Sequence, residues 1–148
     1  MRRFAWLTSY ALLDLELPKR HSPFSAGYDL AAIEPVFIDP HKVVAIPTGL
    51  KVYLPKDEVL LLMLRSSLAL KRGLSMANGV GVIDADYVDN QENEGHIQIL
   101  VYNNLEQTIE IKRGERIAQG VFLKYQKTDD DLPQAEPRQG GFGSTSKL

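Results

Sequence analysis

The sequence contains no cysteine and has no excess of positive charge. Without cysteine the chain cannot form disulfides, bind zinc through thiolates or use a thiol nucleophile. Its 17 Lys and Arg residues against 19 Asp and Glu residues give a net charge of −2. No broad basic field therefore exists to attract DNA or RNA, and we expect no nucleic-acid partner. An anionic ligand must be held by a few local groups.

Long hydrophobic runs are also missing. The longest uninterrupted apolar run covers residues 59–64, against the roughly 20 residues that span a bilayer. The N-terminus begins with arginines and apolar residues like a signal peptide, but Thr8 and Ser9 interrupt it and Asp14 follows closely. We therefore expect a first strand near Arg3, no membrane partner and a cytoplasmic location.

What the sequence does contain is a series of short apolar runs separated by turns. The 148 residues are 44% hydrophobic and 24% charged, which is typical of one globular domain. Pro, Gly, Asn and Asp separate the runs, and the run at 59–64 is apolar on both faces, as in a central strand. The predicted strands are 43–46, 50–54, 59–64, 79–83, 97–102, 108–111 and 117–124.

One segment predicts a short helix instead. Residues 66–73 begin with Ser66, continue with good helix formers and end at Gly73. Arg65 together with the hydroxyls of Ser66 and Ser67 forms a candidate phosphate-binding site at the start of this helix. A serine is also the commonest residue that caps a helix, so this signal alone is weak.

Residues 78–87 carry a stronger signal. Gly79 and Gly81 allow a ligand to approach the backbone closely. Asp84 and Asp86 are two positions apart, so in an extended chain they share a face, and such a carboxylate can accept a proton from water. The alternative interpretation is a turn rich in acids. The three histidines, at 21, 41 and 96, have no metal-ligand spacing and are expected to be surface or structural residues.

The composition changes at residue 126. Residues 126–148 contain few core-forming side chains, and we expect them to form a mobile arm attached to a domain of residues 1–125. The arm nevertheless carries Arg138, Phe142, Ser144 and Thr145 among glycines. These groups suit a flap that closes over a nucleotide, although a solubilising tail is the alternative.

Five sequence blocks occur in one order. They are SAGYDLAA at 25–32, RSSLA at 65–69, NGVGVIDADY at 78–87, GERIAQ at 114–119 and RQGGFGST at 138–145. Through them the chain resembles the trimeric all-β dUTP pyrophosphatases (dUTPases) over about residues 17–145. The resemblance implies a jelly-roll-like β-barrel or sandwich with one short helix, and a homotrimer whose subunits share active sites.

The resemblance also implies an activity. The family hydrolyses dUTP to dUMP and pyrophosphate by attack of water on the α-phosphorus, with Mg²⁺ on the triphosphate. That reaction limits uracil incorporation into DNA and supplies dUMP for thymidylate synthesis. By position, Asp84 matches the aspartate that deprotonates the water, Gln119 a glutamine near the α-phosphate, and Asp29 an aspartate linked to magnesium through water.

The remaining positions match substrate contacts in the family. Arg65, Ser66 and Ser67 match the phosphate-binding block. Asn78, with the 79–83 hairpin backbone that includes Val80 and Ile83, matches the element that reads uracil. Tyr87 matches the tyrosine under the deoxyribose, where a 2′-hydroxyl would clash. Phe142 matches the ring that stacks on uracil, and Arg138, Ser144 and Thr145 match contacts to the terminal phosphates.

The sequence departs from the family at several points. Residues 88–95 form a longer, acidic connection after Tyr87, Ser67 stands where glycine is usual, and Gln139 follows Arg138 in place of glycine. Two other functions were weighed. A dCTP deaminase has the same fold, but Leu100 stands where that family carries a glutamate. A binding module with 88–95 as its contact surface would not need the base, the phosphate-binding block and the flap together.

Overall fold

The computed structural model describes residues 1–11, 14–132 and 140–143. Strands dominate these residues, and one short α-helix, α1 (Ser66–Arg72), interrupts them. A 3₁₀ turn covers Thr8–Tyr10. The strands are β1 (Arg3–Trp6), β2 (Tyr28–Ala31), β3 (Val36–Ile38), β4 (Val43–Pro47), β5 (Leu50–Tyr53), β6 (Glu58–Leu64), β7 (Leu74–Met76), β8 (Gly81–Ile83), β9 (Gln98–Asn103), β10 (Ile109–Ile111) and β11 (Arg116–Lys124).

The described strands form four sheets with antiparallel pairing. The largest has the order β2-β11-β6-β8, and a second has the order β4-β9-β7. β1 pairs with β5, and β10 pairs with β3. The predicted all-β fold is thus confirmed as a sandwich-like arrangement of sheets, and β6 lies inside its sheet, as its apolar sequence indicates.

One hydrophobic core joins the sheets. Alternate side chains of the strands point inward, as the period of two of a β-strand requires. Leu60 and Leu62 of β6, for example, are 0% and 1% exposed. They meet side chains of the second sheet and of α1, and the buried cluster includes Leu30, Ile46, Leu68, Leu74, Ile99, Val101, Ile111 and Ile117. Burial of each such side chain stabilises the fold by about 1.5–3 kcal/mol.

The local predictions mostly hold. A first strand begins at Arg3, and the predicted helix ends where expected, because Gly73 adopts a left-handed conformation (φ +60°) and its N–H donates to Leu68 O. The helix also begins at Ser66, as predicted, and Arg65 occupies the N-cap position without a side-chain cap bond. In the part of the chain that the structure describes, no helix is long and apolar enough to cross a membrane.

The histidines have structural partners. The exposed rings of His21 and His41 lie beside the carboxylates of Asp29 and Glu106. His96 is half-buried, and its Nε2 accepts a hydrogen bond from the backbone N–H of Gly49 (3.0 Å). His96 is therefore neutral, with its proton on Nδ1, and burial lowers its pKa.

The lowered pKa of His96 predicts a pH-dependent stability. In the unfolded chain histidine has a pKa of about 6.5, so near that pH the unfolded state binds more protons than the folded state. The contribution of neutral His96 to the free energy of unfolding is complete above pH ~6.5 and is lost as the pH falls through the pKa of His96 in the folded state. We expect His96→Gln, which keeps an acceptor but does not titrate, to flatten the fall in melting temperature between pH 7.5 and 5. Parallel profiles of the two proteins would contradict this role.

Candidate active site

Strand β11 gathers three of the predicted site residues at one end of the largest sheet. It pairs with both β2 and β6, so that Gln119 lies opposite Asp29 on one side and Met63 on the other. Arg65 follows β6 and remains attached to β11, because its backbone N–H donates to Ile117 O (3.0 Å). Asp29, Arg65 and Gln119 are therefore close neighbours, although the sequence separates them widely.

This end of the sheet carries excess positive charge. The Asp29 carboxylate is only 9% exposed, and its Oδ1 lies 3.7 Å from Arg65 Nε. Its Oδ2 lies 3.1 Å from Arg116 Nη1 and 3.4 Å from His21 Nε2. Two guanidinium groups thus face one carboxylate, and the remaining charge favours an anionic ligand. Sequence reasoning missed Arg116; its position in the fourth block, three residues before Gln119, was the available signal.

The groups around this charge cluster are accessible. Ser66 is exposed and Ser67 is half-buried, at the first two positions of α1. The exposed Gln119 side chain lies over the backbone of Gly27, where an added Cβ would come within 2.9 Å of Gln119 Oε1. Gly27 therefore leaves room for the Gln119 amide at this surface.

The predicted uracil-reading hairpin is not formed by two strands that pair with each other. β7 pairs with β9, and β8 pairs with β6, so the segment from Asn78 to Val80 is a turn between two sheets and not the tip of a two-stranded ladder. Val80 N donates to Asn78 O (2.8 Å), and Gly79 has φ +72°. Asn78 and Val80 are exposed and Ile83 is half-buried, so the backbone of the turn is open to a ligand.

Asp84 and Asp86 belong to a turn rich in acids, the alternative to the extended chain in which they would share a face. They lie in a turn after β8 that is closed by a hydrogen bond from Tyr87 N to Asp84 O (3.1 Å). Asp84 is half-buried, Asp86 is exposed, and Tyr87 is 5% exposed. The turn therefore exposes the Asp86 side chain to solvent more than the Asp84 side chain.

Asp84 and Gln119 lie far apart within one chain. β8 pairs with β6 so that Ile83 is opposite Leu60, whereas Gln119 on β11 is opposite Met63. Asp84 follows Ile83, one position farther from Gln119. The backbones of Asp84 and Gln119 are thus separated by four residues along the strand direction and by two strand spacings, from β8 across β6 to β11. At about 3.3 Å per residue and about 4.8 Å per strand, the two backbones are roughly 16 Å apart. One phosphate group cannot contact both side chains of the same chain.

Tyr87 is held by the connection that follows it. Its hydroxyl donates to His96 O (2.9 Å) and accepts from Asn93 Nδ2 (2.9 Å). Neither Asn93 nor its neighbour Asn90 was singled out in the sequence analysis. Their signal was only a concentration of asparagine and acidic residues in the lengthened connection.

The described part of the arm lies against Tyr87 and the same connection. Gly141 N donates to Glu92 Oε2 (3.3 Å), and a Cβ on Gly141 would come within 2.9 Å of Tyr87 Cε2. Gly140 is buried against Glu92, whereas the Phe142 ring is 63% exposed. The predicted contacts of Arg138, Ser144 and Thr145 lie outside the described residues.

Comparisons with known proteins agree on one family. A family model described as dUTPase matches residues 14–146. The deoxyuridine 5′-triphosphate nucleotidohydrolase of Lactococcus lactis subsp. lactis is 44% identical over 146 residues, which cover 98% of this chain and 97% of that relative. The crystal structure of the dUTPase from Streptococcus mutans is 44% identical, with a TM-score of 0.82, and covers 85% of this chain and 98% of that chain.

A more distant structure shares the fold. A mutant dUTPase from phage phi11 of S. aureus, which coordinates a structural Mg(II) ion, is 24% identical with a TM-score of 0.72 and covers 92% of this chain and 97% of that chain. The family match and the full-length relative carry the assignment, and the fold agrees with them. The chain therefore belongs to the dUTPase family.

Proposed function

We propose that this chain hydrolyses dUTP to dUMP and pyrophosphate. The observation that carries the proposal is the match, over nearly the whole length of both chains, to a deoxyuridine 5′-triphosphate nucleotidohydrolase. The cationic end of the largest sheet supports it, because a triphosphate needs local positive charge on an otherwise acidic protein. Since the substrate belongs to the intracellular nucleotide pool, we place the reaction in the cytoplasm.

The phosphates bind at the end of the sheet that holds Arg65. Its guanidinium and that of Arg116 face the single carboxylate of Asp29, so charge remains for a phosphate. Ser66 and Ser67 add hydroxyls beside it, and the Gln119 amide contacts the α-phosphate. These donors are fixed by the strand pairing, so they stabilise charge on the phosphate oxygens without reorganising during the reaction.

Asp84 acts as the general base. It accepts a proton from the attacking water while the water oxygen forms a bond to the α-phosphorus. The bond from that phosphorus to the bridging oxygen breaks, and pyrophosphate leaves with the electron pair. The turn hydrogen bond from Tyr87 N to Asp84 O (3.1 Å) fixes the backbone from which this carboxylate projects.

The active site is shared between copies of the chain in a homotrimer. The separation of Asp84 and Gln119 within one chain supports this arrangement, because both are assigned to the same phosphate. One copy then supplies Arg65 and Gln119, and a neighbour supplies Asp84 and Tyr87. The arm of a further copy completes the site, although in the single chain Gly141 lies on that chain's own Tyr87.

The residues of this site would take magnesium together with the triphosphate and not on a protein site of its own. Among residues 1–11, 14–132 and 140–143, no group of three or more acidic, histidine or cysteine side chains is placed to hold a metal. The single nearby carboxylate, Asp29, fits an indirect role, since Mg²⁺ keeps several waters and binds substrate phosphates through few protein ligands. When bound, the ion neutralises negative charge that develops on the leaving pyrophosphate.

The nucleoside is recognised at the turn between β7 and β8. The exposed backbone of Asn78 and Val80 offers hydrogen-bonding groups to the edge of uracil, with Ile83 behind them. Tyr87 packs under the deoxyribose and leaves no space for a 2′-hydroxyl. Phe142 stacks on the base from the arm, and Arg138, Ser144 and Thr145 contact the terminal phosphates.

Replacement of Asp84 tests the general base. Asp84→Asn should lower kcat for dUTP by roughly 10²–10⁴ and leave KM little changed, because the base acts in the transition state and not in binding. Asp86→Asn is the matched control and should keep more than half of the wild-type kcat. If Asp84→Asn also keeps more than half, the assigned base is wrong.

A nucleotide panel tests the reaction itself. With each deoxynucleoside triphosphate and Mg²⁺ in turn, we expect pyrophosphate from dUTP alone and no ammonia from any substrate. The uracil edge offers a donor and acceptor pattern that cytosine cannot reproduce, and thymine adds a methyl group. Ammonia from dCTP would identify a deaminase instead, and the absence of both products would leave a binding module.

A further inference from the structure

The connection after Tyr87 is a self-supporting polar loop. We name residues 88–95 the 88–95 loop. Asn90 Oδ1 accepts from the backbone N–H groups of Glu92 and Asn93, each at 3.0 Å. Asn90 Nδ2 donates to Tyr87 O and to Asn93 Oδ1, each at 2.8 Å. Asn90 is 8% exposed, so its side chain forms the centre of the loop and ties it to Tyr87.

Ion pairs fix the outside of the 88–95 loop to the sandwich. Lys51 Nζ on β5 lies 2.6 Å from Asp89 Oδ1 and 3.0 Å from Glu94 Oε1. Thr8 Oγ1 donates to Glu94 Oε1 (2.7 Å). The bonds from Thr8 and Lys51 lower the pKa of Glu94 to about 2, and the bond from Lys51 lowers the pKa of Asp89. Both carboxylates thus stay charged at neutral pH, and the loop keeps its position on the sheet.

The orientation of the Asn93 amide follows from its neighbours. The backbone N–H of Gly95 donates to Asn93 Oδ1 (3.0 Å), and an N–H group must face an oxygen. The Asn93 nitrogen is therefore turned toward the Tyr87 hydroxyl, to which it donates (2.9 Å). That hydroxyl donates in turn to His96 O (2.9 Å). The phenol gives one hydrogen bond and accepts one, which fixes the tip of the ring.

We propose that Asn93 is a positioning residue that holds the Tyr87 ring against the sugar and so sets the preference for a 2′-deoxyribose. The proposal rests on the proposed function. A ring held at its tip cannot withdraw to admit a 2′-hydroxyl, whereas a ring that has lost one bond can. Asn93 itself touches no substrate, and it acts through Tyr87.

The test measures kcat and KM for dUTP and UTP in four proteins: wild type, Asn93→Asp, Tyr87→Phe and the double variant. Asn93→Asp keeps an oxygen that accepts from Gly95 N–H but removes the N–H group that donates to the Tyr87 hydroxyl. The hydroxyl then faces two acceptors, the new carboxylate and His96 O, and its one proton can bond to only one of them. Gln91→Ala, an exposed position in the same loop, is the matched control. Wild-type hydrolysis of dUTP is measured first, so a failure of the proposed function is seen separately.

We expect Asn93→Asp to raise KM for dUTP about fivefold, the effect of one hydrogen bond. Its kcat for dUTP should stay within twofold, and its KM for UTP should fall because the released ring can withdraw from the 2′-hydroxyl. The dUTP/UTP ratio of kcat/KM therefore falls at least fivefold. In the Tyr87→Phe background Asn93→Asp should not lower the dUTP/UTP ratio of kcat/KM any further, because the bond between Asn93 and the Tyr87 hydroxyl is already absent. Gln91→Ala should behave as wild type.

Two results would overturn the proposal. One is a dUTP/UTP ratio of Asn93→Asp within twofold of the wild type. The other is that Asn93→Asp lowers the dUTP/UTP ratio of kcat/KM equally in the wild-type and Tyr87→Phe backgrounds. That result would show that the substitution acts on the loop in general and not through the Tyr87 hydroxyl. If Asn93→Asp does not fold, Tyr87→Phe decides alone. It removes the bond from Asn93, together with the bond to His96 O, and leaves every side chain of the 88–95 loop in place. A dUTP/UTP ratio of kcat/KM equal to that of the wild type in this variant contradicts the proposal.

Discussion

The hydrogen-bond register of β11 is the constraint on which the site depends. This strand pairs with β2 and β6 along most of its length. Ala118 and Gly120 point into the core, and Gln119 between them points out. At Gly120 an added Cβ would come within 3.0 Å of Leu60 Cδ1 and 3.3 Å of Leu30 Cδ1, so this position favours a residue without a side chain. A slip by one residue would turn Gln119 into the core.

The same register is the physical basis of the shared site that we propose. It places Arg65, Asp29 and Gln119 at one end of the sheet, while the pairing of β8 with β6 sends Asp84 toward the other end. In the proposed site, the cationic end of one copy binds the phosphates and a neighbouring copy supplies Asp84 as the base. In the proposed homotrimer the two halves meet between neighbours, because every copy presents both surfaces.

Much of the fold was predictable because it depends on local patterns. The alternation of apolar residues indicated the strands, and Gly73 indicated the end of α1. The candidate site was predictable only through the five sequence blocks, and the sheet register brings together those that contain Asp29, Arg65 and Gln119. The pairing of Asp29 with Arg116 and the bond from Asn93 to Tyr87 depend on how the chain is folded. For Asp84 and Asp86 the sequence left two conformations open, and the turn hydrogen bond from Tyr87 N to Asp84 O decides for the acid-rich turn over the extended chain.

Mixing of subunits tests the shared site most directly. Asp84→Asn and Arg65→Ala should each be nearly inactive, because each removes one half of every site. When the two are unfolded together in equal amounts and refolded, a working site needs one copy of each kind at adjacent positions. Recovery of about a quarter of the wild-type dUTP hydrolysis is therefore expected for random cyclic trimers. Activity that stays at the sum of the separate variants, in samples whose mixed trimers are verified by native mass spectrometry, would contradict a site shared between copies.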